Sequence, residues 1–249
     1  MKRLFTLLFT LILCISFFGC TQPVYGEIAA TTLPVFEFTQ KICQGTDLTV
    51  TRLITENVSC LHDYTLQVSQ MQAIEKAKVI VTSGAGLEDF LEDALSGAQQ
   101  IIDASSGIEL LCSSHDHDDH EHDHNHTESN DPHIWLSISN AKQMAHNIFQ
   151  QLSILYPKHK AQFEKNLLAL DKEFSKLEDY AFQNLSNLSS RKLITFHDGF
   201  SYMAASFDLE IVHALEEESG SEASAQELIE LIKIVEQHDL KAIFTEHNG

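Results

Sequence analysis

The chain predicts an α/β fold: two sections of alternating strand and helix with mostly parallel sheets, joined by one long helix. Three features carry that expectation. Short β-branched runs such as Val79-Ile80-Val81-Thr82 recur between segments whose apolar residues follow a helical spacing. One amphipathic stretch, 158–188, separates an earlier βα section from a later one. A length of 249 residues, 43% of them apolar, suits one large domain or two small lobes, each with its own core.

Residues 1–19 stand outside the fold. Lys2 and Arg3 precede an uncharged, mainly apolar run over 4–18, and Gly19-Cys20 follows. This is the pattern of a secretory signal with a bacterial lipoprotein cleavage site. It leaves Cys20 as the lipid-bearing N-terminus and 20–27 as a tether. The apolar run is shorter than the ~20 residues a membrane-spanning helix needs.

The N-terminal lobe is expected over 28–157. Residues 28–32 read as a strand, and Pro34 opens a helix that reaches about Cys43, with Val35, Phe38 and Ile42 inward. LTVTRLI at 48–54 reads as a strand, 66–77 as a helix and 79–82 as the next strand. Ser83-Gly84-Ala85-Gly86 is a turn, 88–97 a helix facing Phe90, Leu91 and Leu95 inward, and Ile101-Ile102 a strand. A bridge between Cys43 and Cys60 and two buried free thiols are equally compatible with this order.

Residues 113–130 read SSHDHDDHEHDHNHTESN and contain no apolar side chain. Such a composition cannot build a packed element, so a solvated, disordered loop is expected. Its His115, His117, His120, His122, His124 and His126, with acids between them, make it a weak and exchangeable collector of divalent ions. Order returns at Asp131-Pro132-His133, followed by a helix from about 137 to 155 that Pro157 breaks.

The linking helix, 158–188, carries a stripe of Phe163, Leu167, Leu170, Phe174, Leu177, Ala181 and Leu185. At 1.5 Å per residue it spans roughly 45 Å, enough to cross from one lobe to another. The C-terminal lobe, 189–249, then offers strands at 192–196, 210–213 and 241–245 and helices at 199–207 and 224–238. Three strands with no closing helix make an incomplete lobe, so truncation is expected.

Acidic residues outnumber basic ones 36 to 16, a formal charge of −20, and no Lys or Arg occurs between Lys78 and Lys142. That balance disfavours nucleic acid and anionic lipid surfaces and favours cations. In open α/β folds ligands bind beyond the carboxyl ends of strands. His62, in LHDYTL after the strand at 48–54, and His197, in FHDGF after LITF, fall there. His133 closes the DPH turn just before a helix. Imidazole suits zinc and its neighbours, and three with one oxygen donor complete a tetrahedron. Taken singly, each reads more readily as a solvated or hydrogen-bonded histidine. Asp63 and Asp198 flank two of them and read either as general bases or as partners that orient the rings. The sequence offers no HExxH helix, no GxSxG elbow and no Gly-rich phosphate loop followed by its Lys, which disfavours an enzyme.

HDYTLQVSQMQAIEKAKVIVTSGAGLEDFL, DPHIWLSISNAKQMAHNI and LITFHDGFSYMAASFDLEIV closely resemble the metal-binding lipoproteins of ABC importers. The likeness is to the zinc-uptake branch (ZnuA-like) of the cluster A-I solute-binding proteins. It runs from about residue 28 to the end. The resemblance implies two α/β lobes joined by a rigid helix, with the metal between them held by His62, His133 and His197. It also implies a His-rich loop where 115–126 lies. The chain departs from the pattern in three ways. Val68-Ser69-Gln70 replaces a common Pro and Asp, Leu61 stands where some zinc relatives carry a Glu ligand, and the family continues beyond the strand matching KAIFTE. In manganese and iron relatives that continuation supplies an Asp ligand. Glu246 is then a candidate fourth or outer-shell ligand.

The expectation is an extracytoplasmic lipoprotein, monomeric and held to the bacterial cell membrane by its lipid alone. It binds Zn2+ in preference to manganese and hands it to an ABC permease and its ATPase. A metal buffer or surface adhesin that serves no permease is the alternative. Neutral imidazoles bind the ion, so affinity should fall as pH drops through about 6.5.

Overall fold

The computed structural model of the chain describes residues 25–55, 64–112, 130–216, 225–240 and 243. Its first sheet has the order β2-β1-β3-β4, with β1 at Ile28–Ala30, β2 at Val50–Arg52, β3 at Val79–Thr82 and β4 at Ile101–Asp103. All three pairings are parallel, with Ile28 level with both Val50 and Val79. Every residue of β1 and β3 is buried. Strands covered on both faces need unbroken apolar runs, which IAA and VIV supply.

Helices cover the two faces. On one lie α1 (Leu33–Cys43), α4 (Ile138–Leu155) and α5 (Lys160–Leu185). Val35, Ile42, Met144, Ile148, Leu152 and Phe163 are buried together there. On the other face, α2 (Val68–Lys76) and the short α3 (Glu92–Leu95) enclose Ala73, Ile74, Leu91 and Leu95 against Ile80. Pro34 in the first turn starts α1, where its missing N–H costs nothing. The Ser137 hydroxyl accepts from the Asn140 N–H and opens α4.

The second sheet pairs β5 (Lys192–His197) with β6 (Glu210–Glu216) in parallel, with a register shift between Leu193 and Ile194. Helix α6 (Ser201–Ser206) connects them, and α7 (Ala225–His238) follows. Among the described residues, the buried core of this section is Ile194, Leu215, Leu231 and Leu240. The α/β class, the parallel sheets and the long connecting helix all match expectation.

Four details differ from it. The helix expected over 88–97 is a single 3-10 turn at Asp89–Leu91 followed by the four residues of α3. Glu88 explains the loss, because its carboxylate is spent on the turn before it. It accepts from the Ser83 N–H at 2.7 Å, the Gly84 N–H at 2.9 Å and the Thr31 hydroxyl at 2.6 Å. Strand β2 is shorter than 48–54, and β6 runs on to Glu216 rather than stopping at His213. The linking helix starts after a 3-10 turn at Pro157–His159, and only its first half is covered. Phe163, Leu167, Leu170 and Phe174 are buried, whereas Leu177 is 51% exposed. Cys43 is a buried free thiol, one of the two alternatives left open above.

The signal and Cys20, the 56–63 segment with Cys60, His62 and Asp63, and the tract with its six histidines at 115–126 lie outside the described residues. So do Glu246 and all of the last expected strand except Ile243. Among the described residues no helix is long and apolar enough to cross a membrane.

Candidate metal centre

Two of the three expected ligands come together. His197 is the last residue of β5, at the carboxyl end of the second sheet. His133 lies at the end of the chain leaving the first sheet and caps the 3-10 turn Ile134–Leu136. Their Nε2 atoms are 3.1 Å apart and the rings meet edge to face at 77°, with centroids 4.9 Å apart. Two nitrogens bound tetrahedrally to one zinc at about 2.05 Å would stand about 3.3 Å apart. The observed separation is close to that.

The position of His133 is set locally. Pro132 holds the backbone extended at Asp131, and the Asp131 carboxylate folds back over the turn. Its Oδ1 accepts both from the His133 backbone N–H at 2.9 Å and from the ring Nδ1 at 2.8 Å. A carboxylate only accepts, so the ring proton is assigned to Nδ1 and the Nε2 lone pair is left for a cation. Burial pushes the Asp131 carboxyl up. Hydrogen bonds from the His133 ring and backbone, the pull of His133 itself and a hydrogen bond from Ser201 outweigh it and hold the group below the usual carboxylate range.

Gly199 makes the close approach of the rings possible. A Cβ there would sit 2.7 Å from His197 Nε2, 2.8 Å from its Cδ2 and 3.0 Å from His133 Cε1. Trp135 closes one side, its ring centroid 5.4 Å from that of His133. The His133 side chain keeps 21% of its surface exposed, so the centre opens to solvent.

Among the described residues no group of three metal donors is assembled. The third expected ligand, His62, and the candidate outer ligand, Glu246, lie outside them. The sequence left Asp63 and Asp198 open between general bases and ring-orienting partners, and Asp131, which orients the His133 ring, was missed. The signal was present, since Asp-Pro before a histidine is the signature of a side chain turning onto its own backbone. Gly199 and Tyr202, whose hydroxyl donates to the Asp131 carbonyl at 3.0 Å, gave no such signal.

Comparison with known proteins points the same way. The zinc uptake protein ZnuA of Bacillus subtilis, named a high-affinity system, is 29% identical over 226 residues, covering 88% of this chain and 70% of that one. The zinc-binding lipoprotein AdcA of Streptococcus pneumoniae is 28% identical over 229 residues. This chain spans about half of AdcA, 45% of its length. A crystal structure of ZnuA superposes with a TM-score of 0.74 at 28% identity, covering 88% of this chain and 81% of the other. Residues 28–249 match the family described as the periplasmic zinc-uptake complex component A, and the chain belongs to that family of solute-binding proteins.

Proposed function

We propose that the protein captures a zinc ion outside the cytoplasm and delivers it to an ABC import permease with its ATPase. The observation that carries this reading is the pair of Nε2 atoms 3.1 Å apart, one from each sheet section, with Asp131 fixing one ring. The cation would add a bridge between two sections that the Tyr202 hydroxyl already joins. His133 and His197 supply two ligands and His62 the third, with water or Glu246 in the remaining position. A set of neutral imidazoles favours zinc over manganese, which prefers oxygen donors.

The chain divides into a signal at 1–19, a lipid-bearing Cys20 with a tether to 27, a metal-binding lobe over 28–157, a linking helix over 158–188 and a second lobe from 189. The six histidines between 115 and 126 act as a low-affinity collector that raises the local concentration of zinc beside the main site. The protein works as a monomer, catalyses no reaction, and meets the membrane only through its lipid and the permease.

Zinc titration by competition with a chromophoric chelator tests this. His133→Ala and His197→Ala should each weaken tight binding by at least about a hundredfold, since each removes a ligand. Deleting 115–126 should leave the tight site intact and remove only weak binding. Tight binding that survives both alanine variants but disappears with the tract would refute the assignment. Zinc-independent binding to host matrix, with no effect on zinc uptake in cells lacking the gene, would favour the adhesin alternative.

A further inference from the structure

We propose that Tyr202 is a positioning residue that locks the second section of the protein onto the support of the first section's metal ligand, and so sets how fast the ion leaves. The inference rests on the metal-site reading above.

Tyr202 belongs to α6, in the second section, yet it is a buried member of the first section's hydrophobic core. Only 4% of it is exposed. Its hydroxyl donates to the Asp131 carbonyl at 3.0 Å and accepts from the Leu111 N–H at 2.9 Å. Leu111 and Asp131 are already joined, because the Asp131 N–H donates to the Leu111 carbonyl at 2.8 Å. One hydroxyl therefore binds the strand leaving the first sheet section, the strand returning to it, and a helix of the other section.

Asp131 is the residue that holds His133 in place. His197 is carried by β5, the strand that leads into α6. The same β5–α6 unit thus presents one ligand directly and steadies the other through Asp131. If that unit moved away, the two Nε2 atoms would separate and both hydrogen bonds of the Tyr202 hydroxyl would break together. Release of the ion and opening of this joint are then one event. Removing the hydroxyl leaves the Leu111 N–H and the Asp131 carbonyl without this partner in a buried place, which favours the opened arrangement.

The test uses the full chain with Tyr202→Phe, which keeps the ring. Trp135 is the only tryptophan of the chain and sits 5.4 Å from the His133 ring, so its fluorescence reports the ion at that ligand. Dissociation is followed by stopped-flow after mixing zinc-loaded protein with excess chelator, and the d–d spectrum of the cobalt-loaded protein reports ligand geometry. Tyr202→Phe should release zinc roughly tenfold faster, the loss expected when a support behind a ligand is removed, with little change in the association rate. Its cobalt spectrum should shift as His133 loosens. A variant that lowers only the melting temperature, with wild-type release and spectrum, overturns the proposal and leaves the metal site standing. If His133→Ala and His197→Ala themselves bind zinc as the wild type does, the metal-site reading falls and the proposal with it.

Discussion

At the scale of single residues, the centre depends on a side chain that is missing. Gly199 leaves room for two imidazoles, and its φ is not in the left-handed region, so the requirement is purely for space. Gly199→Ala should therefore fold normally but lose zinc affinity by about tenfold or more, because the added methyl displaces His197 by a few tenths of an ångström. Calorimetric titration of zinc alongside a thermal melt separates the two effects. Cys43 carries a different prediction. Burial pushes its thiol from the ordinary 9.0 up to about 12. The folded value is raised, so the unfolded chain releases the proton first as pH rises. The stabilisation from this group is full below pH 9 and is lost between there and about pH 12. Denaturation curves at pH 8.5 and 10.5 should show a steeper loss for wild type than for Cys43→Ala, by up to about 1.4 kcal/mol per pH unit. An identical slope in the two proteins would contradict the assignment.

At the scale of elements, the turn after β3 shows a local rule being overridden. The pattern over 88–97 has helical spacing, but a buried carboxylate takes the place of the first helical turn. Glu88 is 7% exposed and satisfies two backbone N–H groups and one hydroxyl. Glu88→Ala would strand the Ser83 and Gly84 N–H groups, the Thr31 hydroxyl keeping the Val81 carbonyl, and should cost about 3 kcal/mol, measured by urea unfolding. Linking helix α5 illustrates the opposite case. Its stripe was legible because the step of three or four residues follows from 3.6 residues per turn. How far the stripe is covered was not, since that depends on which neighbours reach it. Phe163 to Phe174 pack on α1 and α4, and ion pairs from Lys41 to Glu173 at 2.7 Å and Lys142 to Glu178 at 2.6 Å pin the outer side. Beyond them Leu177, Tyr180 and Phe182 are exposed.

At the scale of the whole molecule, the two sections are unequal. The first sheet is sandwiched between two helical layers and buries side chains on both faces, whereas the second has a core built around Ile194, Leu215, Leu231 and Leu240. On α7, Leu228, Ile229 and Ile232 are exposed. Apolar burial sets the free energy of local opening, so amides of β5 and β6 should exchange with solvent hydrogen well before those of β1 and β3. Native-state exchange measured by mass spectrometry checks this, and equal protection in both sections would contradict it. Zinc should narrow the gap, because an ion that bridges the sections stabilises the weaker one by its binding free energy.

The sequence by itself determined the class of the fold and the donor chemistry. Apolar strand runs and period-3.6 patterns are written residue by residue, and histidines at the ends of such runs, in a strongly acidic chain, make a cation a candidate ligand. Which histidines meet was another matter. His133 and His197 are separated by α4, α5 and β5, and the docking of α6 on the first section brings their nitrogens to 3.1 Å. The same docking places the Tyr202 hydroxyl on the carbonyl of Asp131, the residue that orients the His133 ring. Contacts of that kind depend on the relative placement of elements far apart in the chain, and no local pattern of residues encodes them.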